Sequence, residues 1–186
     1  SFSAFLLFIC VISFQFGMSQ VNNHPPVLSA VGDQYYCSQN QLPIVTSFNI
    51  VDVDDTEIES LNIQISAGYR NGVDKLTLIC SHPNIIASWN AREGKLKLTG
   101  VSGNEVSYTH LIAAVKDVVY ESLSLNNSDV KFFSFTIGDA NYLPSTGHYY
   151  EYVSSHGISW SDAREAAENR KYFGLQGYLA TILTAE

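Results

Sequence analysis

The chain has 186 residues, of which 46% are hydrophobic and 15% charged, with a formal net charge of −8. That apolar content is enough for a buried core, and the length allows one sizeable domain or two small ones. No basic run occurs anywhere, which excludes a phosphate-tracking nucleic-acid binder, because such contacts need clustered Lys and Arg.

Ser1 to Gln20 contains no charged residue, and Ser1 to Phe14 is mostly Phe, Leu, Ile and Val. Gly17-Met-Ser19 then places small residues where a leader peptidase cuts, so 1–19 reads as a secretory signal peptide cleaved before Gln20. The competing reading is a buried N-terminal helix or strand. The run is shorter than the roughly 20 apolar residues of a membrane span, so no transmembrane segment is expected. The missing initiator Met and basic leader suggest a chain cut short at this end. Residues 20–26, with His24-Pro-Pro26, read as an extended linker.

From Val27 to Ala140 strand-like runs alternate with turn chemistry. Val45 to Ile50 is one run. Ile58 to Ile65 alternates, with Leu61, Ile63 and Ile65 on one face and Ser60, Asn62 and Gln64 on the other. Asn71-Gly72 is a tight-turn signal leading into Leu76 to Cys80. Glu93-Gly94 introduces Lys95-Leu-Lys-Leu98, apolar inward and basic outward. Ser107 to Val115 has helical spacing through Leu111, Ile112 and Val115, and Val118 to Tyr120 and Phe133 to Ile137 complete the set. Short strands at this spacing predict an all-β sandwich over 27–140. Asp52-Val-Asp-Asp55, Gly94-Lys-Leu-Lys-Leu98, Val118-Val-Tyr120 and Phe133-Ser-Phe-Thr-Ile-Gly-Asp139 resemble the cadherin-like or immunoglobulin-like repeats of large bacterial surface proteins. The resemblance implies a stalk or adhesion role.

Residues 141–147 read as a second linker. In His148 to Val153, Tyr149, Glu151 and Val153 share one face and His148, Tyr150 and Tyr152 the other, as in a half-buried strand. Ser159 suits a helix N-cap, with Asp162 in the first turn. Trp160, Ala163, Ala166 and Ala167 then form one apolar stripe. Gly174 and Gly177 bracket Leu175-Gln176, and Tyr178-Leu-Ala-Thr-Ile182 reads as a strand. Trp160-x-x-Ala163-x-x-x-Ala167 followed by Gly174-Leu-Gln-Gly-Tyr-Leu-Ala-Thr-Ile182 resembles the N-terminal half of a C-type lectin-like domain, across 148–186. The resemblance implies a truncated α+β domain after the sandwich, with carbohydrate or a cell-surface protein as ligand. The family's calcium and sugar ligands belong to the second half, so the ligand-binding residues are expected beyond Glu186. The paired cysteines of animal members are absent here.

Asp52, Asp54 and Asp55, with Glu57 and Glu59 nearby, form the densest acidic cluster. Close carboxylates on a loop suit calcium, which takes six to eight hard oxygens. The spacing is not that of an EF-hand, since Glu57 stands where the glycine is required and Ile63 where the bidentate glutamate is. Further oxygens would have to come from carbonyls, Asp139 or a neighbouring repeat. A solvated acidic turn between two strands is an equal alternative, and calcium is the one cofactor suggested. Cys10 leaves with the leader. Cys37 and Cys80 either pair, closing a loop worth about 4 kcal/mol by loop entropy, or remain two buried thiols; both readings stay open. Tyr35-Tyr36, Trp89 and Tyr149-Tyr150 could stack on sugars, though most aromatics in a β-rich domain are core.

The five histidines are scattered, and no nucleophile elbow, metalloprotease motif or phosphate loop occurs, so no enzyme is expected. The sequence is thus read as mainly β, a fragment of a secreted or cell-surface adhesion protein whose lectin-like part binds carbohydrate or another surface ligand. The alternatives are a purely structural stalk and the accessory region of a secreted hydrolase.

Overall fold

A computed structural model describes residues 24, 26–37, 40–124, 129–138, 140–143, 146, 148–172 and 175–181. The expected signal peptide at 1–19 and most of the 20–26 linker lie outside the described residues, as do Asp139, Gly174 and Ile182. In chain order the elements are β1 (Val27–Val31), β2 (Leu42–Pro43), β3 (Ser47–Val51), β4 (Glu57–Ile58), β5 (Ser60–Ala67), β6 (Asp74–Leu78), β7 (Ile85–Asn90), β8 (Lys95–Gly100), β9 (Val106–Ser107), α1 (Tyr108–Lys116), β10 (Val118–Ser122), β11 (Phe132–Ile137), β12 (Asn141–Leu143), β13 (His148–Tyr150), α2 (Trp160–Glu168), β14 (Lys171–Tyr172) and β15 (Leu175–Gln176).

The fold is mainly β. One antiparallel sheet has the order β11-β5-β8-β7, and a second has the order β2-β10-β6, with β1-β3 and β4-β9 as separate pairs. Side chains from both larger sheets meet in one apolar cluster: Leu61, Ile63, Ile65, Leu96 and Leu98 from the first, Leu76, Val118 and Tyr120 from the second. Phe48 and Ile50 of β3 and Leu111, Ala114 and Val115 of α1 complete it. Helix α1 starts where Ser107 caps it, its side chain accepting the His110 N–H. A capping hydroxyl satisfies one of the amides that the first turn leaves free.

β8 follows the expected alternation, with Leu96 and Leu98 buried and Lys95 and Lys97 half-exposed. The β7–β8 hairpin turns at Gly94, whose φ is +65°, and a Cβ there would lie 2.8 Å from the Tyr69 ring. Glycine therefore answers two demands at that position, a left-handed backbone and the close approach of an aromatic ring.

β5 departs from its alternating pattern. Ser60 and Asn62 are only 2% and 1% exposed, although they point away from Leu61 and Ile63. β5 lies between β8 and β11, and the chain leaving β11 folds back over its other face. There the Gly138 N–H donates to the Ser60 carbonyl, and Asn62 Nδ2 donates to the Gly138 carbonyl. Asn62 is held in this second layer by that backbone acceptor, although its Oδ1 finds no partner among the described residues. The Asn71-Gly72 turn also has a different task from a hairpin. β5 and β6 belong to different sheets, so the turn carries the chain from one layer to the other.

After Ala140 the expected linker begins with a strand: β12 pairs antiparallel with β13, with Asn141 opposite Tyr150 and Leu143 opposite His148. Helix α2 runs as its signals predict, Ser159 accepting the Asp162 N–H at 3.2 Å. Ala163 and Ala167 are fully buried, but Trp160 is 60% exposed, with the Arg164 guanidinium 5.9 Å from its ring centre. The indole faces solvent and a cation rather than a core. Lys171–Tyr172 and Leu175–Gln176 form a short hairpin, and residues 178–181 carry no strand.

Candidate metal centre

The loop between β3 and β4 brings the three predicted aspartates together. One carboxylate oxygen from each of Asp52, Asp54 and Asp55 can be chosen so that all lie within 4.8 Å of one another. Asp52 directly follows β3 and is half-buried, while Asp54 and Asp55 are exposed. The loop is fixed from within by the Asp54 N–H donating to Asp52 Oδ1 at 3.2 Å. It is fixed from outside by the Tyr108 hydroxyl, which opens α1 and donates to Asp52 Oδ2 at 2.8 Å. The Tyr108 N–H donates to the Thr56 carbonyl at 2.9 Å. From the N-terminal side, the His24 N–H donates to Asp54 Oδ2 at 2.9 Å, and its Nδ1 lies 3.2 Å from the same oxygen.

Burial, the strongest influence on Asp52, pushes its carboxyl up, but hydrogen bonds from Asp54 and Tyr108 outweigh it and hold the group below its usual range. Burial, followed by the bond to Asp52 and that residue's charge, pushes the Tyr108 hydroxyl well above its usual range. Tyr108 is therefore a protonated donor at neutral pH, and Asp52 an anion. Three carboxylates on one short loop suit a hard cation, with the remaining oxygens supplied by carbonyls, water or another segment. Glu57 and Glu59 stand outside the cluster; Glu57 is instead in β4, opposite Ser107 of β9.

A second acidic centre escaped sequence reasoning. Asp74, at the start of β6, is 3% exposed. It accepts from Lys131 Nζ at 2.8 Å, from the Tyr120 hydroxyl at 2.7 Å and from the Arg70 N–H at 2.8 Å. Burial acts most strongly and upward, but Lys131, Tyr120 and the Arg70 amide together hold this carboxyl below its usual range. The centre ties β6 to β10 and to the strand-free approach to β11. The available signal was the Asp74-Lys75 pair just past the Asn71-Gly72 turn, at the mouth of an apolar run.

Cys37 and Cys80 are both free and both exposed. This corrects the disulfide and equally the buried-thiol reading. Cys80 lies in the turn after β6 at φ +64°, which leaves its side chain outside the core. Among the candidate sugar-stacking aromatics, Tyr35 is 98% exposed. Tyr36 is half-buried and accepts the Ser122 N–H at 2.9 Å through its hydroxyl oxygen. Tyr149 stacks on Tyr172 with centroids 5.2 Å apart, and Trp89 packs half-buried at the margin of the core.

No helix among the described residues is long and apolar enough to cross a membrane. No family model matches the chain, and no solved structure matches it. The chain is similar to Halomucin of Haloquadratum walsbyi, at 34% identity over 157 residues. The similar region is 80% of this chain and 2% of Halomucin, so the chain spans a small part of that much longer relative.

Proposed function

We propose that this chain is an extracellular part of a long cell-surface protein, in which the β-sandwich spaces and supports a recognition segment. The observation that carries this reading is the similarity over 80% of the chain to Halomucin, by its name a mucin. The sandwich is read as a cadherin-like or immunoglobulin-like repeat, supported by its two antiparallel layers and by the aspartate loop that follows β3. The part from His148 onward is read as the opening of a C-type lectin-like domain, supported by the Ser159-capped helix with Ala163 and Ala167 inward. Carbohydrate or a cell-surface protein is its ligand class, and calcium is held at Asp52, Asp54 and Asp55. The role is binding, not catalysis.

Protease shaving of intact cells that make the full-length product tests the location. Release of peptides from 27–181 is expected; their complete retention in intact cells would overturn the reading. A glycan array probed with the same product in calcium then tests recognition. Binding above background supports the lectin-like reading, and its absence leaves the sandwich as a spacer.

A further inference from the structure

One end of the sandwich carries a cleft of about 520 Å³, within the roughly 300–1,000 Å³ typical of small-molecule sites. It opens where the ends of β7 and β10, the start of β6 and the coil before β2 converge, and no residue after Leu123 lines it. Its walls are aromatic and polar together. Trp89 stands opposite Leu96 on the core side of β7, an outermost strand of its sheet, and remains half-buried. Tyr36 closes the far side, its ring edge-on to Tyr120 with centroids 4.9 Å apart and its hydroxyl fixed on Ser122. Both rings are thus held in place without the cleft being filled.

The polar groups around these rings favour an uncharged, hydroxyl-rich ligand. Glu121 and Lys75 are direct cross-strand partners at the mouth, so the two charges offset each other and select neither an anion nor a cation. Glu121 Oε1 accepts the Thr77 hydroxyl at 2.9 Å, which orients the carboxylate while leaving it further acceptor capacity. The deeper carboxylate, Asp74, is already matched by Lys131 and Tyr120. Asn40, on the coil, offers an amide with both donor and acceptor. A planar indole beside oriented acceptors and donors is the arrangement that takes the C–H face of a sugar ring and its hydroxyls.

We propose that this cleft is a saccharide site of the sandwich itself, with a pyranose stacked on Trp89 and hydrogen-bonded by Glu121 and Asn40. It is independent of the lectin-like reading of 148–186. The test titrates the whole chain, labelled for amide NMR, with oligosaccharides of glucose, mannose and N-acetylglucosamine up to about 10 mM, tenfold above a millimolar Kd. Saturable shifts confined to amides of residues 36, 40, 72–75, 89–91 and 121–123 are expected with at least one series. Trp89→Ala should abolish them and Glu121→Gln should weaken binding at least tenfold. Should Trp89→Ala fail to fold, Glu121→Gln and Asn40→Ala decide. No saturable shift with any series, or undiminished binding in the variants, overturns the site. Shifts only within 148–181 also overturn it, while leaving the proposed recognition segment standing.

Discussion

The sandwich and the segment that follows it are held by different means. From β3 to β11, two sheets and a helix share one apolar cluster whose central residues, such as Leu61, Leu98 and Val115, are fully buried. From Asn141 onward, Ala163 and Ala167 are the buried residues among those described. That later part is fastened instead by polar and ring contacts. Tyr172 donates to the Ile137 carbonyl and stacks on Tyr149, and the Tyr178 hydroxyl lies 3.0 Å from His148 Nδ1. Apolar burial is cooperative and long-range, whereas single hydrogen bonds contribute little each. The lesson is that the sandwich should unfold as one unit and the later segment open before it.

The largest expected effect comes from attacking the sandwich at the buried Asp74–Lys131 ion pair. Asp74→Ala leaves Lys131 buried without its partner and should cost about 3–5 kcal/mol in chemical denaturation. Adding Lys131→Met should recover part of that loss; a loss below about 1 kcal/mol for Asp74→Ala would show the charge to be solvated. Acid should act on the same residue. Asp74 and Asp52 both sit below the ordinary aspartate value of 3.8. The stability they contribute is therefore complete above that value and disappears as pH falls below it towards their folded values. A melting curve series should fall steeply under about pH 4, and Asp74→Asn should flatten that fall. A series that declined already between pH 7 and 5 would contradict it.

Calcium provides a smaller and more local probe. At ten times its Kd it should stabilise the sandwich by about 1.4 kcal/mol, and Asp52→Asn with Asp54→Asn should remove the shift. An unmoved melting temperature in millimolar calcium would leave the cluster a solvated turn. The smallest effect is expected at the junction. Tyr172→Phe removes one hydroxyl donor, worth about 1 kcal/mol. It should speed amide exchange in 148–181 while leaving 58–137 protected. Equal protection of the two regions in the unaltered chain would break the contrast between them.

How far the sequence could be read follows from the same contrast. β8 was legible because its two faces have different surroundings, lysines outward and leucines inward. β5 was legible as a strand, but burial of Ser60 and Asn62 was not, because it depends on a segment more than seventy residues later folding back. β7 is not legible because, apart from Ile85 and Trp89, its residues are exposed, so the sequence shows little apolar alternation there. β12 reads as linker because three residues of mixed polarity become a strand only when β13 pairs with them. The aspartate loop was visible by spacing alone. Its anchor, Tyr108, was not, as the partners are 56 positions apart. Trp160 fell on the expected stripe, but a helix with two small residues inward needs only a narrow contact.

Tyr108 joins the aspartate loop to the first turn of α1, and that helix rests on β3. An outward swing of the corner therefore breaks the Tyr108 bonds to Asp52 and Thr56 at the start of that helix. Pulling on the polypeptide there loads the oily interior instead of a slack connector, which is how a strut, not a hinge, behaves.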